Sequence, residues 1–239
     1  MSEFILKDLK LLWGSYDFAA QFQSTQFSIS QEAPDATSFG STSRVVAPGG
    51  LWQSTWSGTG KVEYGTSTVD EQFGALSATD KLVTVSPEGL TLTNTSYSIN
   101  TIQSAYTPIQ GSPGDLLTFN IEAMARDPTY RGQLNLTGAH SSITTGAGIQ
   151  LGAPSAVQVC FIAAHVTAFN GTNCTIKLQS DDNSGMSTAT DRVTLTQFTA
   201  IGSELGTVAG SITDDYWAVD LSGTFTSVTV QCFMGLQTV

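Results

Sequence analysis

Apolar and polar residues alternate along much of this chain. In LLTFNIEA (116–123), Leu117, Phe119 and Ile121 fall on one side and Thr118, Asn120 and Glu122 on the other, the period of a half-buried strand. The same reading applies to GKVEYG (60–65), LVTVS (82–86), LTLTN (90–94), CTIKLQ (174–179), RVTLTQF (192–198), YWAVDL (216–221) and SVTVQCFM (227–234). VQVCFIAAHVTAF (157–169) is apolar on both faces, as a central strand covered on each side must be. Two stretches read as helical: the first dozen residues, and TVDEQFGAL (68–76). In the second, Thr68 as N-cap and Glu71 form a capping box, Asp70 lies in the first turn, and Phe73 and Leu76 share a face.

The pattern predicts a mainly β, antiparallel chain: a β-sandwich or barrel domain with one short flanking helix, followed by a second β-sandwich unit. Gly, Ser and Thr dominate GQLNLTGAHSSITTGAGIQLGAPS (132–155), which places a linker at 139–156 between units 1–138 and 157–239. SGTGKVEY and SATDKLVTVS (57–86) are faintly echoed by NGTNCTIKL and TATDRVTLTQ (170–197), as two related β units in tandem would be.

Composition narrows the function classes. The 239 residues carry 20 Asp and Glu against 9 Lys and Arg, a net charge of −11, so the surface repels nucleic acid and anionic membranes. The apolar runs fall far below the roughly 20 residues of a membrane span. The acidic start MSEFILKDLKLLWG lacks the pattern of a secretory signal, and the expectation is synthesis and residence in a cytoplasm-like compartment. Cys160, Cys174 and Cys232 have no metal-type spacing and read as buried reduced thiols.

Local catalytic motifs do not emerge, and the expectation is a protein without catalytic residues, cofactor or metal. His165 lies in the most apolar strand and reads as a core histidine with a satisfied ring; His140, in the linker, reads as solvent-exposed. Asp181, Asp182 and Asn183 before Gly185 resemble a calcium loop only superficially, since the alternating ligands and distal Glu are missing, and a hairpin turn explains them. Asp214 and Asp215 read likewise as a turn. The glycines of GTGKVEYG read as strand-end turns. Trp52 and Trp56 share a strand face and, with Trp217 and Tyr216, offer either core packing or a sugar-stacking platform.

The stretch PDATSFGSTSRVVAPGG (34–50) has too little apolar surface to offset its ordering entropy by itself. With its flanks, from DLKLLWGSYDF to LWQSTWSGTGKVEYG, it resembles the tail tube proteins of long-tailed bacteriophages. There an arm of D-x-T-x-F-G type, here Asp35, Thr37, Phe39 and Gly40, precedes Pro48, Gly49 and aromatic-bearing strands. DEQFGAL matches the family's flanking helix, and GSPGDLLTFNIEAMARDPTYRGQLNLTG (111–138) resembles the strand pair that closes the domain. The C-terminal half is similar to the second β unit of some of these proteins, either a tube repeat or an outer decoration.

The resemblance implies a virion protein, made in the bacterial host cytoplasm, that assembles with itself. Its trimeric or hexameric rings would stack into a tube, with tape-measure and tail-terminator proteins as further partners. Residues 34–50, with Asp35, Thr37, Phe39, Gly40, Arg44 and Pro48, would be an arm ordered on a neighbouring subunit or ring. Glu63, Asp115 and Glu122 are the expected lumen acids, repelling DNA that passes without specific binding. The competing expectation is a capsid or tail decoration protein, or a carbohydrate-binding β-sandwich module; a β-sandwich hydrolase is a third.

Overall fold

The computed structural model describes residues 8–32, 35–39, 42–43, 52–74, 76 and 79–238. Among them run fourteen strands and one helix: β1 (Lys10–Trp13), β2 (Tyr16–Asp17), β3 (Phe22–Gln31), β4 (Trp52–Lys61), α1 (Val69–Gly74), β5 (Lys81–Ser86), β6 (Thr95–Gln110), β7 (Thr118–Ala125), β8 (Tyr130–His140), β9 (Thr144–Thr145), β10 (Ile149–Gln150), β11 (Gln158–Asp181), β12 (Thr190–Thr194), β13 (Gly202–Ala209) and β14 (Tyr216–Thr238). The architecture is mainly β and antiparallel with very little helix, as the alternation predicts.

The strands form two compact units. One comprises the described parts of 21–80 and 101–129; the other comprises those of 1–20, 81–100 and 130–239. This grouping differs from a sequential split at 139–156. β1, β5 and the first residues of β6 hydrogen-bond into the sheet that carries β8, β11 and β14, a long-range pairing that composition along the chain does not reveal.

In the unit of 21–80 and 101–129, strands pair in the order β3, β4, β7 and the second half of β6. One face of this sheet holds a connected aromatic core. The Phe22 ring lies 5.7 Å from Trp56, 6.2 Å from Phe73 and 5.1 Å from Phe119, and Tyr106 lies 5.9 Å from Phe73. Helix α1 is fixed on this face by the Gln103 side-chain amide, which donates to the Phe73 carbonyl (2.7 Å), and by the Tyr106 hydroxyl, which donates to Asp70 (3.1 Å). Gly58 and Gly60 are not strand-end turns but interior residues of β4. A Cβ on Gly58 would stand 2.3 Å from the Phe22 ring, and one on Gly60 would stand 2.8 Å from the Phe119 ring, so the missing side chains are what let the aromatic rings approach the strand this closely.

In the other unit, β11 and β14 stay paired from Gln158↔Thr238 to Asp181↔Tyr216, with register breaks between Val166 and Asn173. The pair folds over at these bulges. Cys160, Ile162, Ala164 and Val166 from the first half of β11 then share one core with Cys174, Ile176 and Leu178 from its second half. Gly171 and Gly223 permit the fold, because a Cβ on Gly171 would meet Phe225 Cα at 2.4 Å, while Gly223 has φ +133° and no room beside Asn173. The opposite face of β11 packs Phe161 and Ala163 against Leu12, Leu82, Tyr130, Leu134 and Phe233. The strand expected to be central is covered on both faces.

Several local expectations change. KLLW is strand β1, paired with β5; Leu11, Leu12 and Trp13 are all buried, so the apolar run that mimics a helical face is a strand covered on both sides. LTLTN is a turn, with Asn94 N–H donating to Thr91 O and Thr93 at φ +71°. The capping box is rearranged: the Glu71 carboxylate accepts from Ser67 N–H, and the Thr68 hydroxyl donates to Gly65 O. Leu76 lies beyond the end of α1 and is exposed.

The expected linker is built into the fold as β9 and β10, both paired with β14. Asn135 holds it there. Its Oδ1 accepts from Val219 N–H (2.8 Å) and its Nδ2 donates to Ala147 O (2.9 Å).

Candidate functional site

The sheet β3–β4–β7–β6 leaves its second face open. Thr25, Trp56, Phe119 and Ile121 turn toward the aromatic side, and the alternation sends Ser24, Gln26 and Ser28 of β3, Thr55, Ser57 and Thr59 of β4, and Asn120, Glu122 and Met124 of β7 the other way. Register places these residues in rows: Gln26, Ser57 and Glu122 in one, and Ser24, Thr59 and Asn120 in the next. Hydroxyls and amides dominate the surface, with Glu122 within it and Lys61 at its end. Met124 and Ile102, cross-strand partners and partly exposed, add one apolar spot.

Strand β3 bounds this sheet. Among the described residues it pairs with β4 alone, and its ten residues, FQSTQFSISQ, include no charge and no proline. Sheet edges that stay solvent-exposed are usually blunted by such residues.

The three expected lumen acids are not equivalent. Glu122 stands on the open face. Asp115 sits in the β6–β7 turn, where its carboxylate accepts from Ser112 N–H (3.0 Å). Glu63 follows β4 and accepts from the Gln21 amide (3.1 Å). Lys61↔Thr118 and Val62 N–H donating to Leu117 O bring the Glu63 and Asp115 segments to the same end of the sheet, where Tyr64, Ile109 and Leu116 are also exposed.

Of the expected arm, Asp35 accepts from Thr37 N–H (2.9 Å) in an Asx turn, and Phe39 is fully exposed. Gly40, Arg44 and Pro48 lie outside the described residues.

Several of the chemical candidates have defined hydrogen-bond partners. His165 is fully buried, its Nδ1 2.6 Å from Gly14 O and its Nε2 2.8 Å from Thr84 Oγ1, which is 2.9 Å from Ser98 Oγ. A carbonyl only accepts, so Nδ1 carries the proton and Nε2 accepts from Thr84. Burial depresses the His165 pKa to about 4, against the raising effect of the Gly14 bond. His140 is a correction: it belongs to β8, paired with Val228, and is half-buried with its Nε2 enclosed.

Asp181 is the buried last residue of β11, at the start of the turn that follows. Its carboxylate accepts from Thr188 N–H (2.8 Å), Asn183 N–H (3.2 Å) and the Thr188 hydroxyl, and the Thr188 N–H leads in holding its pKa below the usual value. Asp214 joins Ser180 (2.6 Å) and Arg192 (2.8 Å), whose Nε donates to Ser180 Oγ (2.7 Å). Those two bonds lower its pKa.

Trp56 and Trp217 are fully buried, with indole N–H groups donating to Thr25 Oγ1 and Gly152 O, so neither ring is available to stack on a sugar. The side chain of Trp52 lies outside the described set. The three cysteines are buried and unbridged. Burial raises Cys160 to about 12, Cys174 to about 11 and Cys232 further.

No family model and no curated protein matches the chain. Among solved structures, similarity extends to the Dit protein of SPP1, described as a paradigm of the hub adsorption apparatus in phages infecting Gram-positive hosts: 14% identity, 97% of this chain, 100% of that chain and a TM-score of 0.40. A chain from the virion of a native gene transfer agent particle aligns at 17% identity over 52% of this chain and 95% of its own, with a TM-score of 0.40. A chain from the sheath/tube terminator of the extracellular contractile injection system PVC, in its extended state, aligns at 16% identity over 55% and 97%, with a TM-score of 0.44. Scores and identities this low carry no functional argument.

Proposed function

We propose that this chain is a structural subunit of a phage tail that assembles with copies of itself into stacked rings around a DNA channel. The observation that carries the reading is β3, a ten-residue, uncharged, proline-free strand bounding a sheet whose other face is an open field of hydroxyls and amides. Joining that edge to a neighbouring copy continues the sheet and removes the edge, and a closed ring removes every such edge at once. The hydroxyl-rich face with Glu122 then lines the channel, offering DNA little cationic surface to hold. The fully exposed Phe39 suits an arm whose burial comes from a neighbour; covering such a ring contributes roughly 1.5–3 kcal/mol. The ordered resemblance of residues 8–65 to tail tube proteins supports the same reading.

Negative-stain electron microscopy over a concentration series tests it. Hollow tubes or stacked rings of uniform width are expected, and deletion of residues 36–47 should abolish stacking while leaving the circular dichroism of a β protein. Discrete particles at every concentration would count against self-assembly, and unaltered tubes after the deletion would overturn the arm.

A further inference from the structure

A cleft of about 280 Å³ opens in the unit that contains β8 and β14. Leu151 and Leu236, both partly buried, give its lining an apolar part above the buried Met234, and Leu151 is anchored by its N–H to Asp215 O (3.1 Å). Four polar residues also line the cleft: Thr95 from β6, Arg131 and Gln133 from β8, and Gln158 from β11. Thr95 and Gln133 are cross-strand partners, and Arg131 and Gln133, two residues apart on one strand, share a face.

Much of the hydrogen-bonding capacity of these groups remains open. Gln158 uses its Oε1 on Ser155 N–H and Oγ (both 3.0 Å), which leaves its amide NH₂ as a donor. The side chains of Thr95, Gln133 and Arg131 make no hydrogen bond or ion pair among the described residues. In contrast, Lys10, Arg126, Lys177 and Arg192 are each paired with an aspartate. Among the described residues Arg131 thus keeps a guanidinium without a carboxylate partner beside the cleft.

We propose that this cleft binds one carboxylated sugar ring, a uronic acid unit. A single guanidinium matches one carboxylate in a bidentate pair. The Gln133 carboxamide and the Thr95 hydroxyl can donate and accept and the Gln158 NH₂ can donate, which together match ring hydroxyls, and Leu151 and Leu236 offer apolar surface to the C–H face of the ring. The volume lies just below the range of drug-sized pockets, so one ring fills it. This binding is independent of tail assembly and uses none of the buried tryptophans.

The test uses the full chain and isothermal titration with the methyl glycosides of glucuronic, galacturonic and mannuronic acid, beside the corresponding neutral glycosides and acetate. At least one uronide should bind about tenfold more tightly than both its neutral counterpart and acetate. Arg131→Met should remove that advantage without changing the thermal unfolding midpoint, since the side chain is exposed and unpaired. Gln133→Met should weaken uronide and neutral glycoside alike. The proposal is overturned if none of the three uronides binds, if acetate binds as well as the uronide, or if Arg131→Met keeps the preference.

Discussion

Acidification should destabilise this protein through His165. The unfolded imidazole titrates near 6.5, while the buried ring, donating to Gly14 O and accepting from Thr84, titrates at about 4. Between those values the unfolded chain binds a proton that the folded chain refuses, so stability falls as pH falls. The His165 contribution is intact above the unfolded pKa, is lost progressively on descent to the folded one, and does not change further below it. The full loss is about 3 kcal/mol, of which about 2 kcal/mol appears between roughly pH 7.5 and pH 5.0. Protonation would also force Nε2 to donate, reversing the chain of hydroxyls through Thr84 and Ser98.

The assay is urea unfolding followed by near-ultraviolet circular dichroism across that interval, for the parent protein and for His165→Gln, which stays neutral. The variant should be less stable at neutral pH because it repacks a buried ring, yet its stability should fall by about 2 kcal/mol less on acidification. Subtraction removes the other titrating groups common to both chains. Parallel pH profiles would refute the buried neutral imidazole.

Three further outcomes follow from packing and charge. Gly58→Ala should lower stability by about 1–3 kcal/mol, because the added methyl collides with the Phe22 ring; an unchanged thermal unfolding midpoint would contradict the close approach. Asp214→Asn should destabilise by about 1–3 kcal/mol at neutral pH by leaving Arg192 without its carboxylate. Because the Asp214 pKa is lowered on folding, the difference from the parent should shrink as pH drops through the folded value; a constant difference in urea titrations would contradict the pairing. Cys160, Cys174 and Cys232, buried and with raised pKa values, should resist an aromatic disulfide reagent in the native state and all react in denaturant. Rapid native labelling of any one of them would show that its site opens.

The period-two alternation was enough to establish the mainly β class, the half-buried faces of β7, the doubly covered start of β11 and the existence of α1, whereas β14, read as half-buried, is covered on both faces over 217–219 and 230–235. Each of these depends on residues adjacent in sequence, where a strand or helix imposes its own period on which side chains meet the core. His165 was legible as a core residue for the same reason. Tertiary structure decided the rest. KLLW became a strand because β5 was there to pair with it, and the Gly- and Ser-rich stretch after β8 joined the sheet because Asn135 and β14 supply its hydrogen bonds.

Gly58 and Gly60 carry no local signal of their role, which is set by Phe22 and Phe119 arriving from other strands. The cleft beside Arg131 gathers Thr95, Gln133, Gln158 and Met234 from four strands, and no window of sequence contains them. Alternation specifies which face of a strand is buried; it does not specify which strands come together, because backbone hydrogen bonds are alike at every residue and partner choice rests on contacts made across the whole chain.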